Sequence, residues 1–280
     1  MIPATAALRQ GATQGLIELR QSWTGGDLIA NLFWPTTTLV AIFFLRHRQI
    51  DGTQLPLGAL VLPGVLGMFV ALGILLIVQQ LTADREDGTL LRAKAIPDGI
   101  RGYLIGKLVT VSATVLAYLA ILLAGGAPII SSFHLGDISW PTLTWVLLLG
   151  LVATQSVGAM LGSLITSSRG AGILSVPILA LIAISGIFYP ITALPTWLQW
   201  LGQTFPIYWL GLGMRSALLP DAVSAVEIDG SWRHLETVAM LGAWATIGLI
   251  VAPLLLRRMS RRESGSRVAE RRDRTLQRVG

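Results

Sequence analysis

The chain has 280 residues, 53% of them hydrophobic and only 13% charged, with a mean hydropathy of +0.67 and a formal net charge of +6. A soluble domain carries about a quarter charged residues, so this composition excludes one and implies an integral membrane protein. Nucleic acid is excluded as the reason for the charge, because nine of the 21 basic residues lie at or beyond Arg257, in a tail that sets topology or touches membrane lipids; without a cysteine, no disulfide or thiolate metal site exists.

Residues 1–27 lack the apolar core and cleavage site of a signal peptide. Leu8, Ala12, Leu16, Leu19 and Trp23 share a helical arc of roughly 80°, with Ile17 misplaced and Arg9, Thr13, Gln14, Glu18 and Gln21 elsewhere. This predicts an amphipathic helix in the membrane interface, polar side to the cytoplasm; a frayed polar leader is the alternative.

A hydrocarbon core of ~30 Å takes roughly 20 apolar residues per spanning helix. Six runs qualify: 28–45, 57–81, 103–124, 143–165, 172–189 and 237–256. The first is the weakest, interrupted by Asn31, Pro35 and Thr36 to Thr38. With both termini cytoplasmic, Arg9, Arg20, Arg85, Arg92, Lys94, Arg101, Lys107, Arg169 and the basic tail all face inward. Only Arg46, Arg48, Arg215 and Arg233 face out. Gly102 and Gly106, like Gly158 and Gly162, have the G-x-x-x-G spacing of close helix contacts.

Between the second and third runs lies "TADREDGTLLRAKAIPDGIRGYLIGK". Thr82 or Asp84 is placed to cap a new helix, with Glu86 and Asp87 in its first turn. Gly88 and Thr89 then bend the chain, "LLRAKAI" forms a further amphipathic turn, and Pro97, Asp98 and Gly99 lead it back. A loop that only sets topology needs a few basic residues, whereas this one mixes signs. Between the fifth and sixth runs the chain is apolar and aromatic but broken by Pro190, Pro195, Pro206 and Pro220. Two short helices are expected there, over 195–203 and 206–218, dipping into the outer leaflet with Trp197, Trp200, Tyr208 and Trp209 as headgroup anchors.

The expected spans are nearly free of charge, where an intramembrane enzyme needs ionisable groups. No H-E-x-x-H is present, and His47, His134 and His234 sit in predicted loops. "GYLIGKL", Gly102 to Leu108, is one residue short of a phosphate-binding loop and lacks its hydroxyl. Asn31, Thr37, Gln79, Gln155 and Ser185 are the candidates for a translocation path, or else bond to neighbouring helices, as Gln80 and Ser156 would.

The segment "REDGTLLRAKAIP…GKL" resembles the R-E-x-G-T-L-E-x-L-x-x-T-P…G-K motif that follows the second span in permease subunits of ABC type-2 exporters. "SGIFYPITALPTWLQWLGQTFPIYWLGLGMRSAL", Ser185 to Leu218, is similar to that family's fifth span and external re-entrant hairpin. With six spans and an interfacial N-terminal helix, the resemblance covers residues 5 to 256. Leu91, Ala93 and Ile96 depart from the motif, which often has Glu, Leu and Thr there.

The resemblance implies an all-α membrane protein: an interfacial helix over 1–27, six transmembrane helices over 28–256 with a cytoplasmic coupling helix and an external re-entrant hairpin, and an unstructured basic tail over 257–280. It places Asp84, Arg85, Glu86, Gly88, Thr89, Leu90, Arg92, Lys94 and Pro97 on a coupling surface for a separate ATPase subunit, present in two copies, which holds ATP and Mg. This chain then binds no cofactor, catalyses nothing, and pairs in the cell membrane with a second copy or a related permease. It exports a drug, lipid or polysaccharide. The alternative is a membrane scaffold that recruits a soluble protein through the same loop.

Overall fold

The computed structural model describes residues 13, 15–45, 57–95, 99–130, 133–165 and 167–262. Leu8, Arg9, Ala12 and Gln14 of the N-terminal helix, Pro97, Asp98 and the tail from 263 lie outside the described residues. Among the described residues all regular structure is helical. Helix α1 covers 15–22, α2 Gly26–Leu45, α3 Leu57–Glu86, α4 Thr89–Lys94 and α5 Gly99–Ile129. There follow α6 Trp140–Leu164, α7 Ser168–Ile184, α8 Thr196–Thr204, α9 Pro206–Leu218 and α10 His234–Arg262.

Among the described residues five helices are long and apolar enough to cross a membrane: α2, α3, α5, α6 and α10. At 17 residues α7 is shorter, about 26 Å at 1.5 Å per residue. The expected run to residue 189 stops at Ile184 because the chain turns there: Gly186 has φ +68°, and the Gly186 and Ile187 carbonyls accept hydrogen bonds from Arg215. The weak first run is a continuous helix despite Pro35. Its threonines do not interrupt it, since the Thr37 and Thr38 hydroxyls donate to the Phe33 and Trp34 carbonyls one turn back. At the other extreme α10 continues past Arg257 and Arg258 to Arg262, so the first residues assigned to an unstructured tail are helical.

Helix α3 is the axis of the bundle, with 78% of its apolar window buried. It lies against α6 so closely that a Cβ at Gly158 would sit 2.6 Å from the Ile74 carbonyl oxygen, and one at Gly162 3.2 Å from the Val78 Cα. The G-x-x-x-G pair thus marks a backbone-to-backbone contact, the geometry small residues permit between membrane helices. Helix α10 covers the far side of α6, and α2 and α5 lie on the remaining flank of α3.

The aromatic, proline-broken stretch folds as the two expected helices, divided at Phe205 with Pro206 in the first turn of α9. They differ sharply in environment. All of α9 is buried between α3, α6 and α10, whereas Trp197 and Trp200 of α8 are exposed. Tyr208 and Trp209 are therefore enclosed by protein, which corrects their assignment as headgroup anchors.

Candidate functional site

At the end of the bundle where α3 finishes, the expected cap at Thr82 or Asp84 does not form, and α3 runs on to Glu86. Thr82 is buried, and its hydroxyl donates to the Val78 carbonyl within α3 at 2.7 Å. The break falls at Gly88, whose φ of 83° is left-handed and suits glycine. There the Thr89 amide donates to the Asp87 carboxylate at 2.8 Å, starting α4. Leu90 pins α4 to the bundle at 1% exposure. Arg92 and Lys94 lie on its exposed side, with Arg92 donating to the Thr89 hydroxyl at 3.0 Å.

Where α1, α3 and α5 meet lies an ionic cluster. The Lys107 ammonium of α5 sits 2.8 Å from Asp84 Oδ2 and 2.9 Å from Glu18 Oε2 of α1. The Tyr103 hydroxyl donates to the same Asp84 oxygen at 2.6 Å. One buried cation is thus shared by two carboxylates, and these contacts compensate the desolvation of each member. The Thr110 hydroxyl of α5 donates to the Gly15 carbonyl at 3.1 Å. Glu18 therefore points into the protein rather than along an outward polar face, while Leu16 and Ile17 are exposed.

The next two residues reach a different part of the chain. Arg85, 7% exposed, donates from Nη1 to the Ile165 carbonyl at the end of α6, at 2.7 Å. Glu86 accepts from the Ser168 amide at 2.9 Å and the Ser168 hydroxyl at 2.6 Å, at the start of α7. Asp84, Arg85 and Glu86 are thus each engaged within the chain.

The five candidate path residues are not brought together. Asn31 joins two helices, donating to the Ser22 carbonyl and accepting from the Tyr118 hydroxyl, each at 2.7 Å. Gln155, 1% exposed, pairs with Ser112 at 2.9 Å. Ser185 is buried and donates to the Ile182 carbonyl. Thr37 and Gln79 lie on exposed surface of α2 and α3.

The opposite end of the bundle holds a second buried ion pair. Arg215 of α9 donates from Nε to Glu227 at 2.7 Å, with side-chain exposures of 5% and 1%. Its Nη1 donates to the carbonyls of Gly186 at 2.8 Å and Ile187 at 3.3 Å. Pro190 and Pro195 bound the 3-10 turn Ile191–Ala193 that precedes α8. The Arg233 guanidinium lies 4.8 Å over the Trp209 ring and donates to Gln203 at 3.0 Å.

Sequence reasoning missed Glu18, Tyr103, Lys107, Ser168, Arg215 and Glu227 as members of these clusters. A charged residue a few positions inside an apolar run was the available signal for Lys107. Nothing local marks Ser168, whose partner is 82 positions away.

No curated protein matches the chain. The family model described as "ABC-2 family transporter protein" matches residues 36–256, which takes in α3 through α9 whole, half of α2 and most of α10. The chain is a multi-pass membrane protein that belongs to the ABC-2 transporter family.

Proposed function

We propose that this chain is the permease subunit of an ATP-driven exporter, powered by two copies of a separate ATPase that hold the ATP and Mg. Family membership supports the membrane half of this reading, and members of the family normally work with an ATPase subunit. The observation that carries the rest is α4: a short helix packed against α3 and α5 and anchored by the buried Leu90, with Arg92 and Lys94 on its exposed side. A chain without a phosphate-binding loop needs such a fixed surface to receive work from a partner.

In this reading α7 is the sixth span, both termini are cytoplasmic, and α8 and α9 form the external hairpin in the cell membrane. A second copy or a related permease completes the path, and a hydrophobic or amphipathic drug, lipid or polysaccharide leaves beneath the hairpin. Closure of the ATPases rocks α3 and α5 through α4.

The test is purification of the tagged chain from its native host in mild detergent, followed by crosslinking from a cysteine placed at Arg92. An ATP-hydrolysing partner linked at that position is expected. A partner without ATPase activity would instead favour the scaffold alternative, and an ATPase that attaches only elsewhere would remove α4 from the coupling surface.

A further inference from the structure

Arg85 and Glu86 are neighbours of opposite charge at the last turn of α3, and each is bonded to a different helix end. The guanidinium meets the C-terminal carbonyl of α6 at Ile165, and the carboxylate meets the N-terminal amide of α7 at Ser168. The polarities match, because the C-terminal end of a helix carries partial negative charge and the N-terminal end partial positive charge. Both are charge-assisted hydrogen bonds of 2.9 Å or less. The contacts span 80 and 82 positions of sequence, so they join two turns that are far apart along the chain.

We propose that Arg85 and Glu86 act as an internal clamp that makes the α6–α7 turn part of the surface the ATPase drives. They are positioning residues, and contact with the partner falls to the exposed side of α4. The inference rests on the transporter reading above and adds the route by which work enters the bundle. Helices α3, α6 and α7 end in one joint, and α4 departs from that joint through Gly88. Displacement of α4 therefore reaches α6 and α7 directly as well as α3. Apolar packing alone lets helix ends slide, whereas directional bonds to main-chain groups hold them in register.

Ser168 allows the clamp to be opened without touching the exposed side of α4. It is the first residue of α7, a position that suits proline, and Ser167 before it is extended at φ −154°, ψ 153°, as a residue before proline must be. Ser168→Pro removes the amide and the hydroxyl that hold Glu86. Reporter cysteines go at Gly172, on α7 with open space around it, and at Arg92 on α4. The full chain with its co-purified ATPase is reconstituted in liposomes. Labelling by a maleimide is compared without nucleotide and after trapping with ATP and vanadate.

With the clamp intact, trapping is expected to change the labelling rate at both positions. In Ser168→Pro and in Glu86→Ala the change at 92 should persist and the change at 172 should fall about tenfold, the factor for ~1.4 kcal/mol lost with the two solvent-exposed hydrogen bonds together. The double variant should be no worse than either single one, and ATPase recovery should be unaffected. Glu86→Gln, which keeps an acceptor for the Ser168 amide, should lose less. A full response at 172 in Ser168→Pro overturns the proposal, as does loss of ATPase recovery in Glu86→Ala with Ser168→Pro normal. If the native chain recovers no ATPase, the transporter reading fails first and the driven role of the clamp falls with it. Faster hydrogen exchange across 167–170 in Glu86→Ala would then still report a closed clamp in the native chain.

Discussion

The Arg215–Glu227 pair offers the largest single-residue effect on stability. Arg215 is 5% exposed and spends its guanidinium on one carboxylate and two main-chain carbonyls, so one side chain ties α9 to the turn after α7 and to the segment before α10. Removing one member of a buried pair leaves an uncompensated charge and costs about 3–5 kcal/mol. Glu227→Ala should therefore destabilise by that amount. Arg215→Met should cost at least as much, since it also leaves the carbonyls of Gly186 and Ile187 without a donor, at about 1–3 kcal/mol for each group left buried and unpaired. Combining Arg215→Met with Glu227→Leu removes both desolvation costs together, so the double variant should be more stable than either single one. Unfolding by SDS in mixed micelles, followed through tryptophan fluorescence, gives all four corners of the cycle. A loss below about 1 kcal/mol for Glu227→Ala, the range of a solvent-exposed pair, would show that water reaches these groups and would refute the reasoning.

Gly158→Val should loosen the α3–α6 contact, because even a Cβ there meets the Ile74 carbonyl oxygen at 2.6 Å; overpacking of this kind costs about 1–3 kcal/mol, readable in the same titration, and native stability would disprove the contact. At Gly88, with φ 83°, Val should weaken ATPase coupling more than Asn, which tolerates the left-handed region; equal coupling in the two variants would mean that the turn adapts. Because the native chain has no cysteine, single cysteines at Asp137 and Asp229 should react with an impermeant thiol reagent added outside cells while one at Gly172 should not, and the reverse pattern would invert the proposed topology. Lone tryptophans retained at 197 and 200 should be quenched by shallow lipid-attached quenchers, whereas one retained at 209, which is 4% exposed, should be quenched weakly; equal quenching at all three would contradict the burial of α9.

Much of the architecture was readable from local pattern. A bilayer imposes long apolar runs on any helix that crosses it, and five of the six runs correspond to helices of sufficient length. Pro195 and Pro206 mark the starts of α8 and α9, where the missing amide hydrogen costs nothing and the fixed φ suits the first turn. Gly158 and Gly162 marked a close contact because small residues at that spacing let two backbones meet. Gly88 and Thr89 marked the start of α4 for an equally local reason, since a left-handed turn suits glycine.

Long-range pairing decided the rest. Helix α3 continues past Leu81 to Glu86 because Asp84, Arg85 and Glu86 find partners on α5, at the end of α6 and on α7, tens of positions away, that satisfy them in place. With those partners unknown, the same residues read as the cap of a separate helix. Tyr208 and Trp209 resemble Trp197 and Trp200 in character, so nothing local separates the enclosed helix from the exposed one. The sequence by itself determined a membrane-embedded helical chain, its punctuation and its family resemblance, because apolar length, proline and glycine act within one element. Only the tertiary structure decided which charges are joined and which helix lies inside, because those depend on surfaces that meet after the elements have packed.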